Sequence, residues 1–422
     1  MKTKDNTEKV QEKKTTSQNM LWNSAGSLVF LGFQWLITIV IVRLSDGFDA
    51  AGELALAMAI YNIVAPLAIF RMYTYQVSDV RRENSTGEYL SFRLFTCILA
   101  ALVGFIYGTA TSPSNTYIVI LLYLIYRFSS LLIDVLHGAD QLHSRMDYVG
   151  KSLILQGIGS FVSFCLFFWL SQSLEIALLS MTAATIAVGI FFDLPHTLSL
   201  EPIKIGISLG KVRHLFFYCL PIVVAAIACS SAPSIPRQYL SFLEGDAALG
   251  IYASVAAPVS IIQMGASYIY NPLLSNFSDL YARREVKQLL VLLGKVTLGI
   301  FALGVIFSIV LNYAGPLMLE LLFGKDITNY SYLLGPLIVC AMVTAYVWFI
   351  NDIFVSFRLF NESLISNAIA LILSVILTFP LVSTYSMNGV SFVGIIGSGV
   401  TAALMCAFLI RHIIKLKKNV QR

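Results

Sequence analysis

Long apolar runs, separated by short polar connections, recur twelve times along the chain. They cover 21–44, 50–72, 90–111, 115–137, 149–171, 174–194, 214–240, 247–275, 287–312, 333–357, 362–384 and 388–411. A helix needs about 20 apolar residues to cross the hydrocarbon core. The runs are too long and too uniformly apolar for barrel strands, and helices satisfy every backbone group within one segment. The pattern therefore predicts an all-α membrane protein with twelve transmembrane helices and no extramembrane domain.

Three matches at nearly one offset point to an internal repeat. Ala50-x-Gly52-x-x-Ala55 opens the second run, and Ala248-x-Gly250-x-x-Ala253 opens the eighth, 198 residues later. Arg81-Arg82-Glu83 returns as Arg283-Arg284-Glu285 at an offset of 202, and Arg43 returns as Arg237 at an offset of 194. Six helices per repeat give parallel repeats, related by an axis along the membrane normal. The expected organisation is a first lobe over 20–194, a cytoplasmic linker over 195–213 and a second lobe over 214–412. The two pseudo-symmetric six-helix lobes would enclose a central cavity able to open to either side. The segment 1–19 carries eight charged residues and two apolar ones, so a disordered cytoplasmic tail is expected there. A basic tail is expected over 413–422. Pro316–Gly324, short and apolar, reads as an interfacial or re-entrant helix.

Composition sharpens the picture. Apolar residues make up 57% of the chain and charged residues 12%, against about 25% charged in soluble domains. Of the 28 Lys and Arg residues, 24 fall on the side of the N-terminus and three (Arg43, Arg237, Lys325) on the other. By the positive-inside rule both ends lie in the cytoplasm. The six cysteines sit in apolar runs without metal or disulfide spacing. The five histidines are scattered along cytoplasmic edges. No nucleotide-binding loop or enzyme motif is present, so no cofactor, metal or catalytic residue is expected. Energy would come from an ion gradient, the membrane potential or consumption of product.

Polar residues within the runs are the candidate site, because an ionisable group at the bilayer centre costs about 2.5–3.5 kcal/mol and so faces protein or a water-filled cavity. Arg127 lies twelve residues into run 4 and reads as the one Lys or Arg of the interior. Helical spacing puts Tyr123, Arg127, Ser130 and Asp134 on one face. Arg127 is expected either to meet an anionic substrate or to pair with Asp134 or Asp352. Gln34, near the middle of run 1, is a substrate contact or a helix–helix hydrogen bond. Arg43 and Arg237 are outer anchors or anion-facing cations. Asp134 and Asp352, in the inner parts of runs 4 and 10, are candidates for coupling or gating. Runs 7 and 8 are interrupted by Pro221, Pro233, Pro236, Pro258 and Pro272, which kink helices.

In its layout the chain resembles the polysaccharide (O-antigen and teichoic-acid type) flippases of the multidrug/oligosaccharidyl-lipid/polysaccharide exporter superfamily. The resemblance spans the folded length. It is carried by Trp22-Asn23-x3-Ser27, Arg43-Leu44 and Gly52-x-x-Ala55-x-Ala57. The second half adds Ile235-Pro236-Arg237-Gln238-Tyr239-Leu240, Gly250-Ile251-Tyr252-Ala253, and Gly315-Pro316 with Leu321-Leu322-Phe323-Gly324. It implies two six-helix lobes around a cation-lined cavity and export of undecaprenyl-diphosphate-linked oligosaccharide repeat units, by alternating access, across the bacterial cytoplasmic membrane. Membrane lipids, a polymerase and other polysaccharide-assembly proteins are the implied partners; nucleic acid is not, and a monomer is expected. The site residues expected on substrate are Arg127, Arg43, Arg237, Tyr123, Ser130 and Gln34. The alternative is an ion-coupled multidrug or metabolite exporter of the same superfamily, which would place acidic residues where run 1 has none. A polymerase or ligase would need a large outer loop, and the longest outer connection is about twenty residues, over 313–332.

Overall fold

The structure is a computed structural model. It describes the backbone over 16–79 and 82–420, and side chains over 18–79 and 82–414. Twelve helices are long and apolar enough to cross a membrane: Gln18–Leu44, Asp49–Ser78, Thr86–Thr111, Ser114–Leu142, Met146–Ser171 and Leu174–Leu198, then Leu209–Ser231, Asp246–Ala282, Val286–Phe323, Asp326–Ser356, Phe360–Tyr385 and Met387–Ile414. These are spans 1 to 12. The even number leaves both ends of the described chain on one side, called here the terminal side; the other is the far side. Many large apolar side chains point outward, Phe191, Leu209 and Tyr313 each at 80% exposure or more. That is the surface of a protein whose solvent is lipid.

The first six spans pack mainly among themselves, as do spans 8 to 12. The lobes meet where the repeat expects a correspondence. The backbone at Gly52 lies so close to the carbonyl of Asp246 that a Cβ there would stand 1.7 Å from its oxygen. Gly250 presses on the carbonyl of Phe48 in the same way, with a Cβ at 2.1 Å. Phe48 and Asp246, like Gly52 and Gly250, are 198 residues apart. The far ends of spans 2 and 8 are therefore held together by one contact made twice about the pseudo-twofold axis.

Several expected boundaries move. Span 7 ends at Ser231, and Ile235–Glu244 forms a separate short helix. Pro233 and Pro236 remove the N–H groups that would continue the run, and Ser374 donates to the Ala232 carbonyl at the break, at 2.6 Å. Pro316–Gly324 is neither interfacial nor re-entrant, since one helix runs unbroken from Val286 to Phe323 with Pro316 inside it. At 1.5 Å per residue its 38 residues reach about 57 Å, well past the hydrocarbon. Of the expected tail over 1–19, residues 1–15 lie outside the described residues, but Thr16 opens the first helix. Asn19 there is buried, donates to the Ser144 carbonyl at 2.9 Å and accepts from Met146 N–H at 3.1 Å. At the other end the last helix continues to Val420, through most of the expected tail, and 421–422 lie outside the described residues. The linker is helical at Leu194–Leu198 and again from Leu209. Between them it is strapped onto the start of span 3. Glu201 accepts from Thr86, Gly206 N–H donates to Ser91 Oγ at 2.8 Å, and Lys211 pairs with Glu88 at 2.7 Å.

Candidate functional site

Arg127 sits ten residues into the helix Tyr117–Leu142, close to the middle of the span. Its guanidinium carbon lies 4.8 Å from the centroid of the Tyr61 ring, and Tyr123 and Tyr126 flank it. Tyr61 meets Tyr123 edge-on, ring centroids 5.9 Å apart. The guanidinium thus stands against aromatic faces, a favourable arrangement for a cation. Its Nε is buried without a hydrogen-bond partner. Among the described residues no carboxylate pairs with it.

Asp134, one of the two alternative ion-pair partners of Arg127, does not meet it, and Arg127 is not the one interior Lys or Arg. Asp134 pairs instead with Arg93 at 3.2 Å. Arg93, expected at the cytoplasmic edge, is fully buried. Its place follows from a break in span 2. Phe70 and Arg71 both take left-handed backbone conformations (φ 46° and 58°), which cost non-glycine residues energy and persist only when surroundings enforce them. The break leaves helix-end carbonyls without partners. Arg93 donates to Ala68 and Ile69 at 3.2 and 2.6 Å, and Thr96 donates to Ala68 at 2.9 Å. Asp134, a third exposed, completes the clamp. The signal was in span 3: Arg93, Cys97, Ala100, Gly104 and Gly108 share one buried face at helical spacing.

The other expected site residues are dispersed. Gln34 donates to Tyr126 Oη at 2.8 Å and Ser160 Oγ at 3.4 Å, tying span 1 to spans 4 and 5 and to the residue beside Arg127. Ser130 donates to Gln156 at 3.2 Å. Arg43 donates across the lobes to the last carbonyls of the long ninth helix, Glu320 at 3.0 Å, Leu322 at 2.9 Å and also Leu321. The Glu320 carbonyl also takes the Gly324 N–H at 2.9 Å, whereas carbonyls of the last turn, as at Leu321 and Leu322, lack an intrahelical donor, and a cation suits the negative end of a helix. In this state Arg43 is therefore a cross-lobe cap rather than a free cation. Arg237 lies near Tyr252 and Cys340. Asp352 accepts from Tyr270 at 2.9 Å and faces Arg71 of the opposite lobe. Trp35 adds a further link between the lobes, donating to Ala257 at 3.1 Å.

The terminal half of span 1 leaves Met20, Leu21, Leu28 and Leu31 exposed. At the terminal end of span 7, Gly210, Arg213, His214, Phe217 and Tyr218 line an open cavity of about 590 Å³. Arg127 thus stands among tyrosines near the middle of span 4, paired with no carboxylate among the described residues.

No family model matches the chain. Over 364 residues it is 26% identical to the capsular polysaccharide biosynthesis protein CapF of Staphylococcus aureus, covering 84% of this chain and 89% of that one. Its fold matches an inward-facing multidrug resistance MATE family transporter of the MOP superfamily, with a TM-score of 0.72, 14% identity, and coverage of 95% and 99% of the two chains. It also matches the lipid II flippase MurJ in an inward closed conformation, with a TM-score of 0.73, 10% identity, and coverage of 95% and 90%.

Proposed function

We propose, for a chain whose sequence relative and fold support the polysaccharide flippase family of the MOP superfamily, that it moves an undecaprenyl-diphosphate-linked oligosaccharide from the inner to the outer leaflet of a bacterial cytoplasmic membrane. The terminal side is then the cytoplasmic side, as the Lys and Arg asymmetry requires. The lobes work by alternating access, closed outward in the state described. Surface polysaccharide synthesis is the purpose the CapF likeness supports.

One observation carries this reading: a guanidinium near the membrane middle with tyrosines around it and no carboxylate beside it. A diphosphate needs a fixed cation in a low-dielectric cleft, and the planar fork of Arg binds phosphate oxygens in pairs. Tyrosine faces and hydroxyls suit a glycan, while the isoprenoid tail stays in lipid. A multidrug exporter, the reading the MATE likeness allows, captures cations; Arg127 would repel them.

The test measures polymer export beside membrane abundance. Losing a charge-assisted contact costs about 1.5–3 kcal/mol, roughly a ten- to hundredfold loss in binding. R127A is expected to insert normally, lose export and leave lipid-linked repeat units on the inner leaflet. R127K is expected to recover part of it, since the charge remains without the fork. Normal export by R127A at normal abundance contradicts the reading.

A further inference from the structure

A second polar cluster lies in the same lobe, nearer the terminal side, and transport as read above does not use it. His137, one face of span 4, approaches Asp193 with its Nε2 3.1 Å from Oδ1. Ser152 donates to the other oxygen of Asp193 at 2.8 Å, Gln156 donates to Ser152 at 3.0 Å, and Ser130 reaches Gln156. One turn beyond His137, Asp140 accepts from Thr197 at 3.0 Å on Oδ1, while its Oδ2 is buried with no hydrogen-bond partner. His137 is 4% exposed, and Asp140, Asp193, Ser152 and Thr197 are 0% exposed. Asp193 owes its aim to a π-helical turn, Gly189–Asp193, which interrupts span 6. Such turns recur at functional sites because the extra residue redirects a side chain.

Counting charge shows what the cluster lacks. Asp134, on the same helix, is balanced by Arg93 of span 3. Arg145, which faces Asp140 from the start of span 5, is engaged by Asp147, and Lys151 joins the same carboxylate at 3.7 Å. Tyr73 faces Asp134 and Asp140 and donates to Gln141. His196 is turned to the rings of Tyr148 and Phe192. That leaves two carboxylates, Asp140 and Asp193, against one imidazole. Even a doubly protonated ring leaves one of these two carboxylates with no ion pair within 4.0 Å among the described residues, Arg145 being held by Asp147, and a buried carboxylate without such a partner is costly to ionise. The lone oxygen of Asp140 is where one more positive charge fits. The cluster offers one unpartnered oxygen, Asp140 Oδ2, rather than a set of converging ligands, and that suits a proton.

We propose that His137, Asp140 and Asp193 form a proton-binding site that couples a proton gradient to the movement of the lobes, an inference that rests on the transport reading above. The proton forms an O–H bond at Asp140 Oδ2, and on release that bond breaks as the proton returns to water and the carboxylate is regenerated. The coupling has a route on the page. Gln76, just past the break in span 2, donates to the Val135 carbonyl at 3.0 Å, and its Oε1 lies against Gly138, between His137 and Asp140. Ten residues along the same helix stands Arg127, so one rigid element bears both the proton site and the candidate substrate cation.

Infrared difference spectroscopy of the purified protein across a pH titration reads the site without any substrate. The expected result is the carbonyl stretch of a neutral carboxylic acid, lost in D140N, kept in D352N and indifferent to sodium. In vesicles, collapsing the pH gradient should slow export by the native protein at least tenfold and leave the residual export of D140N unchanged. If D140N fails to accumulate, H137Q gives the same readout, because removing the imidazole should move the pH at which the band vanishes. A missing band, a band unchanged by D140N and H137Q, a band abolished by sodium, or native export indifferent to the gradient overturns the proposal. Normal export by R127A alongside the expected band would instead remove the flippase reading and leave the proton site standing.

Discussion

At the scale of single residues, Arg93 and Arg127, both interior to the first lobe, divide their labour by their neighbours. Arg93 gives its two terminal nitrogens to carbonyls and to Asp134, leaving Nε unpartnered; Arg127 has aromatic faces and no acid. Arg93 is therefore expected to hold structure. Removing one partner of a buried ion pair costs about 3–5 kcal/mol, and the part exposure of Asp134 puts this case toward the low end. R93A is expected to reduce the folded protein in the membrane, and R93M/D134N to recover it in part, because the paired change leaves no orphan charge. Abundance measured for both variants checks this; equal amounts of R93A and native protein would remove the structural role. Sequence alone showed that Arg127 was interior, because it lies twelve residues into run 4. Arg93 escaped because it lies within reach of a loop, and only the break at Phe70 and Arg71 explains why it turns inward. The histidines escaped similarly: His137 looks peripheral until the π turn brings Asp193 against it.

Among the elements, the number and order of the hydrophobic runs were legible, since lipid imposes a minimum length and one composition on every span, but run 7 was carried to 240 where its helix ends at Ser231, and run 9 stopped at 312 where its helix ends at Phe323. What could not be read was where helices break or run on. Span 2 breaks beside no proline, span 7 breaks at two, and the ninth helix continues straight through Pro316. A proline is tolerated in a helix when the carbonyl it leaves unpaired finds a donor elsewhere, and that donor is a tertiary matter. The glycine repeat was legible as a pattern but not as a contact. Its contact makes a prediction. A methyl at Gly52 or Gly250 must push the opposing backbone away, at a cost of about 1–3 kcal/mol, which shifts the balance of closed and open far sides about ten- to hundredfold. Spin labels at D46C and K325C, both exposed far-side positions in opposite lobes, should report a longer distance in G52A/G250A than in the parent. An unchanged distance distribution would deny the glycines a gating role.

For the whole molecule, the pseudo-twofold arrangement makes the far-side closure a shared property of both lobes. Gly52 and Gly250 supply the symmetric part. Arg43 on the last turn of the ninth helix and Trp35 on Ala257 supply the asymmetric part. Arg43 reaches the end of span 9 because that helix runs on to Phe323. All these contacts must part if substrate is to leave outward. The central claim, that the lobes alternate to carry a lipid-linked oligosaccharide across the membrane, is tested most directly by fastening this closure. The six native cysteines, all free in the structure, are first replaced. R43C and L322C are then joined by a short, reducible bifunctional reagent, and the leaflet position of lipid-linked repeat units is measured. The account predicts that cross-linking strands them on the inner leaflet and that reduction restores export. Undiminished export by fully cross-linked protein would contradict it.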